Sequence, residues 1–112
     1  NGLKILESRG YDSCGMVSID IREEVIIHKF ASLNRFGGDC IENLREQGKG
    51  HHDNFVGIGH TRWATHGDKT DTNAHPHFDH KNRIALVHNG IISNYFQLKT
   101  DLREKYKIEQ YS

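Results

Sequence analysis

The chain has 112 residues, enough for one domain, or part of one, with a modest hydrophobic core. Its 15 basic and 15 acidic residues balance, so no net charge favours binding to nucleic acid or to an anionic membrane surface. No apolar run is long enough to span a membrane, and no signal-peptide pattern is present. The two cysteines lie far apart, which favours a reducing, cytoplasmic location.

The first half of the chain is predicted to contain two helices separated by a β-hairpin. Apolar residues at helical spacing predict the helices, and β-rich runs on either side of Arg22-Glu23-Glu24 predict the hairpin. The predicted elements are a helix over 3–9 ended by Gly10, strands over 14–21 and 25–31, a helix over 34–47 and an exposed loop over 48–54.

The second half is predicted to hold two strands, each followed by a polar segment, and a last helix. The predicted elements are a strand over 55–63, a loop over 64–82, a strand over 83–88 and a helix from 93 or 94 to 107. Period-two alternation places Val56, Ile58, His60 and Arg62 on one face of the first strand. The unbroken apolar run 84–87 predicts burial of the second strand on both faces. We expect neighbouring strands that deliver polar loops to one rim of an α+β fold.

Arg62 and Trp63 are the first candidates for ligand binding, because they end a strand and precede a long polar loop. A guanidinium at such a position can hold a carboxylate through paired hydrogen bonds, although an ordinary surface ion pair is an equal alternative. Trp63 is either a core residue or part of a lid over a ligand.

Asn89 and Gly90 are the second candidates, because they follow the most apolar strand. A side-chain amide next to a glycine N–H can direct two donors at one oxygen, which stabilises an oxyanion. The alternative is a simple tight turn, because Asn-Gly is the commonest turn dipeptide.

The histidines and cysteines favour no further chemistry. His75, His77 and His80, with His60 or His66, could supply imidazole ligands, but their spacing matches no common zinc pattern, so no metal is predicted. Cys14 and Cys40 each fall within an apolar pattern and are predicted to be small buried hydrophobic residues rather than nucleophiles.

Four motifs occur in a fixed order along the chain and together resemble a known family. They are Arg9-Gly10-Tyr11-Asp12-Ser13, the run His60-Thr61-Arg62-Trp63-Ala64-Thr65-His66-Gly67, Asn73-Ala74-His75-Pro76-His77, and Val87-His88-Asn89-Gly90-Ile91-Ile92-Ser93-Asn94. The chain resembles, almost end to end, the glutaminase domain of class II glutamine amidotransferases. The second and third motifs favour the branch that makes glucosamine 6-phosphate over amidophosphoribosyltransferases.

The resemblance implies a four-layer αββα sandwich of the N-terminal-nucleophile (Ntn) hydrolase class, of which this chain would be the central portion. It implies hydrolysis of the glutamine side-chain amide without a cofactor. The ammonia would pass to fructose 6-phosphate in separate isomerase domains, in the hexosamine pathway to UDP-N-acetylglucosamine. Dimerisation or another homo-oligomeric state is implied for the full-length protein.

The resemblance also assigns roles to individual residues. Arg62 would clamp the glutamine α-carboxylate, Thr65 and His66 would line the same pocket, and Trp63 would belong to the loop that closes over it. The Asn89 side chain and the Gly90 N–H would form the oxyanion hole. Arg9 and Gly10 would lie beside the nucleophile, and Arg9 and Tyr11 would order it.

The chain departs from the family pattern at its ends. Its first residue is Asn1, whereas the resemblance implies an N-terminal Cys-Gly that carries the nucleophile. An Asp-rich segment that would bind the glutamine α-amine is expected beyond Ser112. We therefore expect residues 1–112 to be a fragment without glutaminase activity. The alternatives are a glutamine- or glutamate-binding module without catalysis and a histidine-rich metal-binding domain.

Overall fold

The computed structural model of the protein describes residues 2–10, 12–33, 39–65 and 67–107. Helices and strands alternate along the chain in a mixed order that gives an α+β fold. The helices are α1 (Gly2–Ile5), α2 (Asp39–Gln47) and α3 (Tyr95–Tyr106), with 3₁₀ turns at Glu7–Arg9 and Gly48–His51. The strands are β1 (Ser13–Ile19), β2 (Val25–Ala31), β3 (Val56–Arg62), β4 (His77–Phe78) and β5 (Ala85–Leu86).

The larger sheet is antiparallel, with strand order β2-β1-β3. The predicted hairpin forms its first pair, because the Asp20 carboxylate accepts hydrogen bonds from the N–H groups of Arg22 and Glu24 at 2.8 and 2.9 Å. Capping of this kind satisfies turn N–H groups that the strands leave without partners. The predicted hairpin is confirmed, with the first strand ending at Ile19 rather than at residue 21.

Helix α2 covers one face of this sheet and forms the hydrophobic core with it. Cys14 on β1 and Cys40, Ile41 and Leu44 on α2 are all at most 6% exposed. Both cysteines are free thiols, so the prediction of small buried hydrophobic cysteines is confirmed. The predicted first turn of this helix, residues 34–38 with Phe36, lies outside the described residues.

The strand predicted over 83–88 differs most from expectation. Only Ala85–Leu86 is a strand, and it pairs with His77–Phe78 in a separate two-stranded sheet rather than next to β3. Ile84 is 64% exposed and Leu86 is 51% exposed, so burial on both faces is wrong for this chain. An apolar strand is buried only where other layers cover it, and the described residues place none over β5.

Two further predictions need correction. The last helix forms as predicted, but α3 buries no residue, and Phe96 on its expected inner face is 72% exposed. The loop over 48–54 was predicted to be exposed, yet His51 is only 9% exposed. Its ring is held by Ser18 Oγ at 2.6 Å and by His28 Nδ1 at 2.9 Å, and these partners stabilise its burial. Within the described residues, no helix is both long and apolar enough to cross a bilayer.

Candidate functional site

The sheet face opposite α2 carries polar side chains at one end, and the register of the strands explains why. His60 on β3 lies opposite Gly15 on β1, Arg62 lies opposite Ser13, and Lys29 on β2 lies opposite Gly15 from the other side. Residues directly opposite each other in an antiparallel sheet project to the same face. The predicted placement of His60 and Arg62 on one face is therefore confirmed, and Lys29 joins them there.

The segment that carries His75-Pro76-His77 crosses this face over Gly15. A Cβ atom on Gly15 would lie 2.1 Å from the His75 carbonyl oxygen, so a larger residue would exclude the segment. Lys29 Nζ donates to the carbonyl oxygens of Thr72 and Ala74 at 3.0 Å each, and to that of Pro76 at 3.4 Å. The absence of a side chain at Gly15 therefore leaves room for the segment, and the Lys29 ammonium group holds it on the sheet.

Three imidazole rings meet where this segment lies against β3. The rings of His60 and His75 stack with centroids 4.3 Å apart, and the ring centroid of His77 lies 4.3 Å from that of His75 at an interplanar angle of 58°. The pKa of His75 is lowered to about 4. The largest cause is burial, followed by the neighbouring imidazoles of His60 and His77 and by the positive charges of Arg62 and Lys29. Burial and the Lys29 charge also lower the pKa of His77. His75 and His77 are therefore held toward their neutral forms beside two cations, which suits an anionic ligand.

Asn89 and Gly90 are attached to the same sheet face through this cluster. The Oδ1 atom of Asn89 lies 2.5 Å from Nε2 of His60, and the His88 N–H donates to Nδ1 of His75 at 3.3 Å. Gly90 has a φ of +151°, a backbone conformation that side chains disfavour. The candidate donor residues thus lie next to β3, although their strand does not pair with it.

The loop after Arg62 folds back on the arginine side chain. Arg62 Nη1 donates to the Asp68 carbonyl oxygen at 3.2 Å, and Asn73 Nδ2 donates to the same oxygen at 2.9 Å. Trp63 is 56% exposed and Thr65 is also exposed, both at the start of this loop. His66 and Tyr11 lie outside the described residues, so their expected roles stay predictions.

The segment before β1 lies against the end of β3. Gly10 is buried there, and a Cβ atom on it would come within 2.8 Å of the Thr61 carbonyl oxygen. Arg9 precedes it and is exposed at the end of a 3₁₀ turn. The predicted site residues Arg9, Gly10 and Arg62 are therefore close together at one end of the sheet.

Sequence reasoning missed several residues that hold the site together. Asp12 is 3% exposed, accepts from the Ala64 N–H at 2.8 Å and pairs with Lys69 Nζ at 2.5 Å. The sequence shows it only as a member of the first of the four motifs. Lys29 and His75 were also missed as anchors, because each acts on residues far away in the sequence. An acidic residue directly before a buried strand was the available signal for Asp12.

The two cysteines lie in the core between the sheet and α2. The hydrogen bond with Cys40 and burial raise the pKa of the Cys14 thiol, which opposes formation of a nucleophilic thiolate. Among the residues described, no group of three or more His, Cys, Asp or Glu side chains is placed to hold a metal ion. The described site contains hydrogen-bond donors and the cations Lys29 and Arg62 on the β2-β1-β3 sheet.

Comparison with known proteins gives consistent matches. A family model described as a glutamine amidotransferase domain matches residues 13–112. The chain is 46% identical over 104 residues to a glutamine–fructose-6-phosphate aminotransferase (isomerizing) of Methanococcus maripaludis, covering 93% of this chain and 16% of the relative. Proteins of the same name from Clostridium perfringens and a Synechocystis species are 47% and 48% identical, over 93% of this chain and 16% and 15% of their own lengths.

Proposed function

This chain belongs to the glutamine amidotransferase domain family, and we propose that its site binds glutamine for hydrolysis of the side-chain amide to glutamate and ammonia. The observation that carries the proposal is the contact between His60 and Asn89. It brings the donor pair Asn89–Gly90 to the strand face that also carries Arg62, two positions from His60. One small ligand can therefore reach both groups.

Arg62 is proposed to clamp the α-carboxylate of glutamine. Its guanidinium lies at the end of β3, and burial, neighbouring imidazoles and the cations lower the pKa values of His75 and His77 nearby. Residues two apart on a strand are separated by about 7 Å, and the carbon chain of glutamine between its two carbonyl carbons spans ~5 Å. The ligand therefore fits between Arg62 and the residues held by His60. Thr65 and His66 would line the pocket, and Trp63 would cover it.

Asn89 and Gly90 are proposed to stabilise the oxyanion that forms when a thiolate attacks the amide carbon. The negative charge develops on the former carbonyl oxygen, and two fixed N–H donors oppose it without reorganising. Loss of one such donor typically costs about 100- to 1000-fold in rate. Within the described part of the chain, no hydrogen bond engages the Gly90 N–H.

The nucleophile is proposed to be an N-terminal cysteine that residues 1–112 do not contain. In enzymes of this type the α-amine of the first residue acts as the base for its own thiol. Arg9 and Gly10 would lie beside that residue, because Gly10 packs against the end of β3 next to Arg62. Cys14 is excluded as the attacking group, because it is 1% exposed and in contact with Cys40.

The proposed acceptor of the ammonia follows from the relatives. They are named glutamine–fructose-6-phosphate aminotransferases, and this chain spans about 16% of their length. We infer that the ammonia aminates fructose 6-phosphate in isomerase domains outside residues 1–112. A homo-oligomeric assembly in the cytoplasm is part of the same proposal.

A four-layer αββα sandwich is the proposed complete fold. The β2-β1-β3 sheet would be one of its two sheets, with α2 in the outer layer. Exposed apolar side chains in α3 and at β5 support this, because Phe96 in α3, Leu86 in β5 and Ile84 just before β5 are each at least 51% exposed. Covering those side chains would remove apolar surface from water, which is the main force that joins layers.

Two measurements test the proposed function. L-Glutamate should bind the 112-residue chain, and Arg62→Ala should abolish that binding, whereas Arg83→Ala changes an exposed arginine elsewhere and should not. In the full-length gene product, Asn89→Ala should lower kcat for ammonia release by about 100- to 1000-fold with little change in KM. Absence of glutamine-dependent ammonia release in the unaltered full-length protein would refute the proposal.

A second candidate function is binding of the amino acid without catalysis. Both cysteines are buried, which favours a module that binds glutamine or glutamate without hydrolysing it. The two candidates differ in one observable: the full-length gene product releases ammonia under the first and only binds the amino acid under the second.

A further inference from the structure

The side-chain amide of Asn89 is held at its oxygen end. Its Oδ1 atom lies 2.5 Å from Nε2 of His60. An amide oxygen can only accept a hydrogen bond, so His60 must carry its proton on Nε2. The two N–H bonds on Asn89 Nδ2 are then directed away from His60, and within the described residues no other hydrogen bond engages them.

The tautomer of His60 is fixed by its surroundings as well. Its Nδ1 atom is buried without a hydrogen-bond partner among the described residues. A proton there would create a buried donor without an acceptor, which is costly, whereas a bare lone pair costs less. The stacked ring of His75, 4.3 Å away at an angle of 20°, prevents the His60 ring from tilting toward another partner. The tautomer with its hydrogen on Nε2 is therefore the one that fits these contacts.

His75 holds the backbone next to the same asparagine. Its Nδ1 atom accepts a hydrogen bond from the His88 N–H at 3.3 Å, one residue before Asn89. Burial lowers the pKa of His75 to about 4, so Nδ1 stays available as an acceptor at neutral pH. His75 is buried, with 9% of its surface exposed, and Lys29 hydrogen-bonds the carbonyl oxygens of its two neighbours, Ala74 and Pro76. Burial and these hydrogen bonds hold the ring in place.

We propose that His60 and His75 are positioning residues that set which end of the Asn89 amide faces the substrate. His60 holds the amide oxygen, and His75 holds the backbone that leads to Asn89 and Gly90. A reversed amide would present its oxygen to the developing oxyanion and repel it. The inference rests on the proposed function, in which Asn89 Nδ2 donates to the oxyanion. It adds that the orientation of the Asn89 amide depends on the tautomer of His60.

The first test is the tautomer of His60 in the unaltered 112-residue chain. Nitrogen-15 NMR of the imidazole rings distinguishes a protonated Nε2 from a protonated Nδ1. A His60 ring with its proton on Nε2 at pH 7, and a His75 ring likewise protonated on Nε2, are the expected results. A His60 ring with its proton on Nδ1 would overturn the inference, because Asn89 would then have to present its oxygen to the site.

The second test is kinetic and uses the full-length gene product. His60→Phe keeps the ring volume but removes the donor, so kcat for glutamine hydrolysis should fall by about 10- to 100-fold, with KM changed less than threefold. His60→Gln restores an N–H donor and should recover part of that loss, which a role in packing alone does not predict. The control is His80→Phe, at an exposed position, which should leave both constants unchanged.

The outcomes separate the inference from the proposed function. An active unaltered enzyme whose His60→Phe variant keeps kcat within twofold, or changes only KM, refutes the positioning role and leaves the function standing. An unaltered enzyme that releases no ammonia refutes the function and the inference with it. If His60→Phe fails to fold, the tautomer measurement on the unaltered chain still decides.

Discussion

The carboxylate of Asp12 accepts a hydrogen bond of 2.8 Å from the backbone N–H of Ala64, 52 positions further along the chain. The other carboxylate oxygen lies 2.5 Å from Lys69 Nζ, and the Asp12 N–H donates to the Arg62 carbonyl oxygen at 3.0 Å. One buried side chain therefore joins the start of β1, the end of β3 and the loop that follows. The position of Arg62 depends on that junction.

Removal of the Asp12 side chain should destabilise the fold and loosen this loop. Asp12→Ala leaves the Ala64 N–H and the Lys69 ammonium without their partner, and we expect a loss of about 2–4 kcal/mol in the free energy of unfolding. Lys69→Met removes the cation but leaves the buried Asp12 carboxylate its hydrogen bond from the Ala64 N–H, so it should cost less, about 1–2 kcal/mol. Denaturant unfolding of both variants measures the difference, and equal losses would contradict a central role for the carboxylate.

Gly15 should tolerate no side chain. In Gly15→Ala the new Cβ would lie 2.1 Å from the His75 carbonyl oxygen and 2.8 Å from Lys29 Cβ, so the segment over the sheet must move. We expect a loss of about 1–3 kcal/mol in stability together with weaker glutamate binding. Gly2→Ala is the matched control, because nothing lies within 4 Å of its added Cβ. Unchanged stability in Gly15→Ala would show that the segment is not held as described.

Acid should destabilise the fold through His75. Burial beside His60 and His77 lowers its pKa from 6.5 to about 4. Between these values the unfolded chain binds a proton that the folded chain does not, so the free energy of unfolding falls as the pH decreases through this range. A pKa difference of this size corresponds to about 3 kcal/mol in the free energy of unfolding. Because solvent partly reaches the ring, we expect a loss of about 1–3 kcal/mol.

Urea denaturation between pH 7 and pH 4 measures this effect. The His75→Gln variant should show a shallower dependence on pH than the unaltered chain, because it lacks the group that gains a proton on unfolding. His80→Gln removes an exposed histidine and should keep the original dependence. Equal slopes for the unaltered chain and His75→Gln would rule out His75 as the source.

Neither cysteine should react in the folded chain. Cys14 is 1% exposed and Cys40 is fully buried, and the hydrogen bond between them, with burial, raises the pKa of the Cys14 thiol. Alkylation by iodoacetamide should be at least about 100-fold slower than in the chain unfolded by guanidinium, because labelling requires local opening. The 112-residue chain should also release no ammonia from glutamine. Ammonia release that disappears in Cys14→Ala would overturn this assignment.

The hairpin and the faces of β3 were predictable because their causes are local. Strand alternation has a period of two, and the turn after β1 is closed by Asp20, four residues from the last N–H it binds. The predicted range 25–31 coincides with β2. The burial of Cys14 and Cys40 also followed from the apolar patterns around them.

The exposure of β5 and α3 and the burial of His51 could not be predicted from local sequence patterns. An apolar run reports that a strand can be buried, but its burial depends on layers from elsewhere in the chain, and Ile84 stays 64% exposed here. The opposite error occurred at His51, where a polar pattern indicated exposure. Ser18, 33 positions away, hydrogen-bonds the His51 ring, so the polar ring is buried without losing its hydrogen-bonding partner.

The sequence by itself determined the residue types of the candidate site and the family to which the chain belongs. Sequence motifs alone point to Arg62, Asn89 and Gly90, and the family match over residues 13–112 covers all three. Only the tertiary structure decided that His60 meets Asn89, that Asp12 binds Ala64 and that Lys29 holds the segment over the sheet. These contacts join residues 29 to 52 positions apart, so they depend on the path of the whole chain, which no local pattern specifies.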